Sequence, residues 1–231
     1  MKITKSTLKR IIKEEIIKEM MDNSRLAQIR KVISEPEKKE KHALEPAEQV
    51  ITRNELEYII QHGALNKFHF RQRSFSKVDL SGLDFSGGDF SFARFPEANL
   101  KGANLAGVNL FYANFDRADL EGANLAGANL TMAGFPNANL KGADLKNADL
   151  SRARIYRSNL ESANLYNADL SEAQMISANL RGADLRDADM SEADLELADL
   201  TGANLDGANI RDVLMFNTIL DGVDLGATVE D

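Results

Sequence analysis

The chain has no cysteine and no tryptophan, and only three histidines in 231 residues. Without Cys, disulfides and thiolate metal sites are excluded, and a reducing compartment suits the composition. No apolar run approaches the ~20 residues of a membrane-spanning helix. The N-terminus carries lysines but no continuous apolar stretch of the secretory kind. These absences make a cytoplasmic location the expectation. His42, His62 and His69 show no metal-ligand spacing, and no G-x-S-x-G, P-loop or dinucleotide fingerprint is present. Gly87-Gly88 reads as a chain corner rather than a phosphate cradle. Paired carboxylates such as Asp184, Asp187 and Asp189 are abundant, but nothing suggests a cleft that would raise one of their pKa values. The expectation is a protein without catalytic residues, cofactor or bound metal.

What is present is a repeat. From Leu65 to Leu225 every residue number divisible by five carries Leu, Phe, Ile or Met. Two positions earlier the residue is small, in a nearly unbroken column from Ala93 to Ala208, and one position earlier it is usually Asp or Asn. A period of five fits neither a helix nor a plain strand. The small residue and the centre are two apart, which is strand spacing, so both face one side. The three steps to the next small residue then require a bend in every unit. Gly recurs at 82, 102, 122, 142, 182, 202 and 222, with Ser162 the exception, so the environment repeats every twenty residues. Twenty residues in units of five make four sides. Positive φ is expected at the Gly82-type and Gly87-type corners, and is not expected at the corners holding Phe92, Tyr112 and Met132. Lys101, Glu121, Lys141, Glu161 and Arg181 alternate in sign at twenty-residue steps and read as cross-coil pairs on a solvated face.

These residues resemble the pentapeptide-repeat family over roughly residues 68–226, thirty-two consecutive units from Phe70 to Leu225. The resemblance implies a right-handed quadrilateral β-helix, a mainly β solenoid of about eight coils with the centres and small residues inside. At about 4.8 Å per strand its length would be roughly 35–40 Å.

Ahead of the repeats, residues 1–33 read as an amphipathic helical extension, with Leu8, Ile11, Ile12, Ile16, Ile17, Met20 and Met21 as its apolar set. Residues 34–50 read as a charged flexible linker containing Pro36 and Pro46. In 51–67, Thr52-Arg-Asn-Glu55 forms a capping box followed by Leu56, Tyr58, Ile59 and Ile60, stopping at Gly63. This short helix is expected to cover the open end of the first coil. Residues 227–231 form a C-terminal tail. Charge is uneven. Residues 1–33 hold nine Lys/Arg against four Asp/Glu, whereas 184–231 hold thirteen Asp/Glu against Arg186 and Arg211.

The informative surface residues are those that break the repeat. Phe92, Phe111, Tyr112 and Met132 are large apolar groups at one corner, to be covered by the N-terminal segment or by a partner. Leu214, Phe216 and Ile219 lie near the C-terminal end, where Leu214 and Ile219 fill slots that hold Asp or Asn elsewhere. One side is the least regular: Arg94, Gly134, Arg154, Gln174 and Leu214 stand before centres there, and Pro96, Pro136, Tyr156 and Ile176 follow them.

The primary reading is a non-catalytic protein-protein interaction module or scaffold whose partner the sequence does not name, with a homodimer end to end through the C-terminal coil. No nucleic-acid partner is expected, and Glu14, Glu15 and Glu19 argue against the N-terminal helix as a membrane-surface anchor. The family resemblance supplies the alternative. Some pentapeptide-repeat proteins imitate DNA and bind bacterial type II topoisomerases, DNA gyrase or topoisomerase IV, giving inhibition or quinolone protection. On that reading Asp187, Glu192 and Glu196 offer carboxylates to a basic groove. Against it, the middle coils are electrically neutral, and the loops that interrupt the coils of plasmid quinolone-resistance proteins are missing.

Overall fold

The structure is a computed structural model, and it describes residues 53–61 and 70–226. The readings for 1–33, 34–50, 227–231 and the Thr52–Glu55 capping box lie outside the described residues or side chains.

Every unit folds in the same way. Two residues after each centre the chain enters the left-handed region, and the corner closes with a backbone bond. Ala103, for example, donates from its N–H to the Leu100 carbonyl at 3.0 Å, with Gly102 at φ +60°. A positive φ at the third residue is the mark of a type II turn. Three further backbone bonds join each unit to the next coil. Leu100 N–H donates to Asp119 C=O at 2.6 Å, Asp119 N–H to Ala98 C=O at 2.9 Å, and Gly102 N–H to Glu121 C=O at 3.0 Å. The parallel bridges therefore link residues twenty apart without a slip, on four sides. Side one is the column Ser74, Arg94, Asn114, Gly134, Arg154, Gln174, Asp194, Leu214. Side two runs from Asp79 to Ile219, side three from Asp84 to Asp224, and side four from Asp89 to Asn209.

The pre-centre Asp or Asn is explained by two bonds. Asn99 Oδ1 accepts the N–H of Lys101 at 3.2 Å, which holds the corner, and Asn99 Nδ2 donates to Asp79 Oδ1 one coil below at 3.0 Å. A carboxylate can make only the first. Where Asp stacks on Asp, at 149, 169 and 189, the hydroxyls of Ser151, Ser171 and Ser191 supply a donor at 2.6, 2.6 and 2.7 Å.

The axis is filled by the centres and the small column, which form one buried cluster from Phe70 to Ala208. Phe75, Phe95, Phe115 and Phe135 stack behind side one with centroids 5.0, 4.9 and 4.8 Å apart. Gly88 stands in the small column because a Cβ there would collide with the Phe90 ring.

Helix α1, Arg53–Gln61, lies within the expected 51–67 segment. It buries Leu56 and Ile59 in the core cluster. Its Arg53 guanidinium donates to the carbonyls of Asp79 and Ser81 at 3.3 and 3.1 Å. In later coils the equivalent carbonyls, such as those of Asn99 and Lys101, accept N–H groups from the coil below. Arg53 thus takes the place of that missing coil at the first strand edge.

One expectation is overturned. The corners at Phe92, Tyr112 and Met132 do adopt positive φ, at 61°, 58° and 58°. The hydrogen-bond pattern of the coil imposes the left-handed conformation at every corner, whatever its side chain. Size at that position says nothing about the turn.

Candidate interaction surface

The corner between sides four and one carries the first cluster. Phe92 and Tyr112 lie one above the other with centroids 5.6 Å apart, and Phe111 meets Phe92 edge-on at 5.4 Å. Arginines close the ladder at both ends, Arg71 6.0 Å from the Phe92 centroid and Arg154 5.7 Å from that of Tyr112. Arg154 lies over Gly134 on its way to Tyr112. A Cβ on Gly134 would touch the guanidinium at 3.5 Å. Phe92, Phe111 and Met132 are half-buried and Tyr112 is exposed. The packing that half-buries Phe92 and Phe111 includes contacts made within the solenoid. The irregularity of side one was visible in the sequence, but the seating of Arg154 over Gly134 was not, since it joins residues twenty and forty-two positions apart.

The second cluster divides by direction. Leu214 is 56% exposed and Phe216 69% exposed, both on side one, whereas Ile219 lies on side two. Leu220 and Leu225 are centres, a position that is buried in earlier coils, yet they are 46% and 50% exposed. They form the end of the described stack. Sequence reasoning missed them because their repeat position marks them as core.

The three acidic candidates are also separate. Asp187, on the corner after side three, takes a hydrogen bond from Tyr166 that pushes the phenol pKa up. Tyr166 itself lies between Lys146 and Arg186, at 5.1 and 5.6 Å. Glu192 and Glu196 lie at the two edges of side one. Elsewhere charge is paired within the chain: Lys101 with Glu121 at 2.8 Å, Lys141 with Glu161 at 2.9 Å, Arg152 with Glu172 at 2.8 Å and Arg181 with Asp199 at 2.9 Å. Arg181 thus leaves the alternating column and pairs with the pre-centre Asp199 instead.

Among the described residues no group of His, Asp and Glu converges as metal ligands would. Displaced carboxylate pKa values run downward. Hydrogen bonds from Arg186 hold Asp184 below its ordinary range, and those from Thr201 do the same for Asp199. No helix among the described residues is long and apolar enough to cross a membrane.

The family model for pentapeptide repeats, in eight copies, matches residues 74–110, 103–142, 113–152, 153–191 and 178–215. No curated protein matches at a significant level. Among solved structures, a trypsin-treated variant of QnrB1, a plasmid-mediated fluoroquinolone resistance protein, is 25% identical, covering 71% of this chain and 84% of that one with a TM-score of 0.44. HetL, involved in heterocyst differentiation regulation in the cyanobacterium Nostoc sp. strain PCC 7120, is 28% identical over 76% of this chain and 95% of its own, with a TM-score of 0.36. The protein alr5209 of Nostoc PCC 7120 is 36% identical over 46% of this chain and 83% of its own, with a TM-score of 0.33. The repeat of five, its four-sided coil and the family match agree: this chain belongs to the pentapeptide-repeat family.

Proposed function

We propose that the chain is a non-catalytic protein-protein interaction module, a rigid stack of about eight coils that associates with a second copy through its C-terminal coil. The observation that supports this reading is the concentration of exposed apolar side chains there: Leu214, Phe216, Ile219, Leu220 and Leu225. Monomeric solenoids present polar terminal faces, and an apolar one favours association. A closed two-fold pair hides the same patch on both copies. Light scattering on the full chain tests it. The reading expects a dimer that Leu214→Asp with Ile219→Asp converts to a monomer, and an unchanged monomer in both would reject it.

A second reading, a DNA-mimicking binder of DNA gyrase or topoisomerase IV, is favoured by one feature, the thirteen acidic residues of 184–231 against two arginines. Asp187 is partly committed to Tyr166, which leaves Glu192 and Glu196 as its better-placed carboxylates. A supercoiling assay decides it. The reading expects inhibition or quinolone protection that weakens with salt and disappears when Asp187, Glu192 and Glu196 become Lys. No effect at micromolar protein would reject it and leave the interaction module standing.

A further inference from the structure

Side one carries a charge pattern that the rest of the rod does not. The level of residues 152–157 holds Arg152, Arg154 and Arg157 and no acid, and the level of 192–197 holds Glu192, Asp194 and Glu196 and no base. Between them the level of 172–177 has Gln174 and Ile176 at its middle, and its one charge, Glu172, is paired with Arg152. Among the described residues Arg154, Arg157, Glu192, Asp194 and Glu196 form no ion pair, although paired charges are the rule on the neighbouring columns.

A two-fold axis perpendicular to side one at the Gln174–Ile176 level inverts both height and width. It brings the level of Arg154 onto the level of Asp194 of a second copy, with the order of residues reversed. Arg157 then faces Glu192, and Arg154 faces the space between Asp194 and Glu196. One level further out, Gly134 and Pro136 face Leu214 and Phe216. Phe216, the most exposed of the large apolar residues, falls over Gly134 and the guanidinium seated on it. Asn137 comes opposite Asp212 as a donor to an acceptor. Positive meets negative, flat meets protruding, and neutral residues lie on the axis.

We propose that the second copy binds laterally and antiparallel along side one, rather than end to end. This inference rests on the self-association argued above but moves its centre from the C-terminal coil to side one, where Leu214 and Phe216 are covered and Ile219, Leu220 and Leu225 are not. Leu214 and Phe216 support it, because they project sideways from side one and an end-on stack would leave them in water. Four coil steps at about 4.8 Å make a short contact. The association is therefore at the weak end of specific interfaces and concentration-dependent. Two charged levels facing their opposites also make it sensitive to salt.

The test is a charge swap on the full chain, followed by sedimentation equilibrium over a range of protein concentration and ionic strength. All substituted residues are solvent-facing, and circular dichroism confirms that each variant keeps the fold. The native chain dimerises, and the dimer dissociates as salt rises. Arg154→Glu with Arg157→Glu is monomeric, and so is Glu192→Arg with Glu196→Arg. Mixing the two variants restores dimers that neither forms alone. A dimer indifferent to both reversals but abolished by Leu220→Asp with Leu225→Asp overturns the lateral geometry and leaves self-association intact. A native chain that stays monomeric at every concentration and salt overturns both.

Discussion

The guanidinium of Arg154 lies 5.7 Å from the ring centroid of Tyr112, two coil levels away. The guanidinium lies over Gly134, whose Cβ position is 3.5 Å from it, an ordinary contact distance. Tyr112 and Arg154 are both exposed, so the worth of the contact is modest. A double-mutant cycle of Tyr112→Ala and Arg154→Ala, read from urea unfolding, is expected to give a coupling of about 0.5–1 kcal/mol. Coupling near zero would mean that the arginine is solvated and the patch is not preorganised.

The inside and outside assignments make a large contrast. Leu125 is fully buried on the axis, and Leu125→Asp places a charge where neither water nor a partner reaches it. The cost is expected to be several kcal/mol. Lys141 pairs with Glu161 at 2.9 Å between half-exposed side chains, and Lys141→Ala is expected to cost less than about 1 kcal/mol. Thermal melts with the reverse ranking would place the centres on the wrong side of the coil.

The corners make a subtler one. Gly122 has φ +63° and open space around its Cβ position, so Gly122→Ala meets no neighbour and only the backbone objects. The left-handed conformation of an L-residue costs about 1–2 kcal/mol, and the gain from restricting the unfolded chain offsets about 0.4–1 of it. A net loss of about 1 kcal/mol is expected. Ser162, at φ +56° in the same column, should respond in the opposite sense when changed to Gly. A neutral outcome for both would mean the corners are not held as described.

The architecture was legible because a large residue at every fifth position forces a bend in each unit, and the glycine column at twenty-residue steps makes four units to a coil. The outward position of Leu214 and Ile219 was legible because they fill the pre-centre slot that holds Asp or Asn elsewhere. Three things were not legible. Phe92, Tyr112 and Met132 were expected to avoid positive φ, because propensity at single residues hid a conformation that the inter-coil bonds dictate. The seating of Arg154 over Gly134, and the exposure of the centres Leu220 and Leu225, depend on neighbouring coils or on their absence, and no local pattern contains that.

Acid should weaken the fold. Asp184 is held below its ordinary pKa by Arg186, Asp84 by the N–H and hydroxyl of Ser86, and Asp199 by Thr201. A lowered folded-state pKa contributes stability above the unfolded value, about 3.9 for Asp, and loses it as pH falls through the folded value. The melting temperature is expected to hold from neutrality to about pH 5 and to fall progressively below about pH 4. A rise on acidification would mean that repulsion along Asp149, Asp169 and Asp189 outweighs these bonds.

If this rod meets its partner along side one, the two-fold axis fixes the distance between equivalent residues of the two copies. The chain contains no cysteine, so Gln174→Cys and Asn217→Cys each carry a single nitroxide label without background, and pulsed dipolar spectroscopy reads the distance between copies. A lateral antiparallel pair sets the Gln174 labels beside the two-fold axis and the Asn217 labels farther apart. End-to-end association reverses that order. Association along side one gives the shorter distance at Gln174; a shorter distance at Asn217, or no dipolar signal at either position under dimer-forming conditions, rules it out.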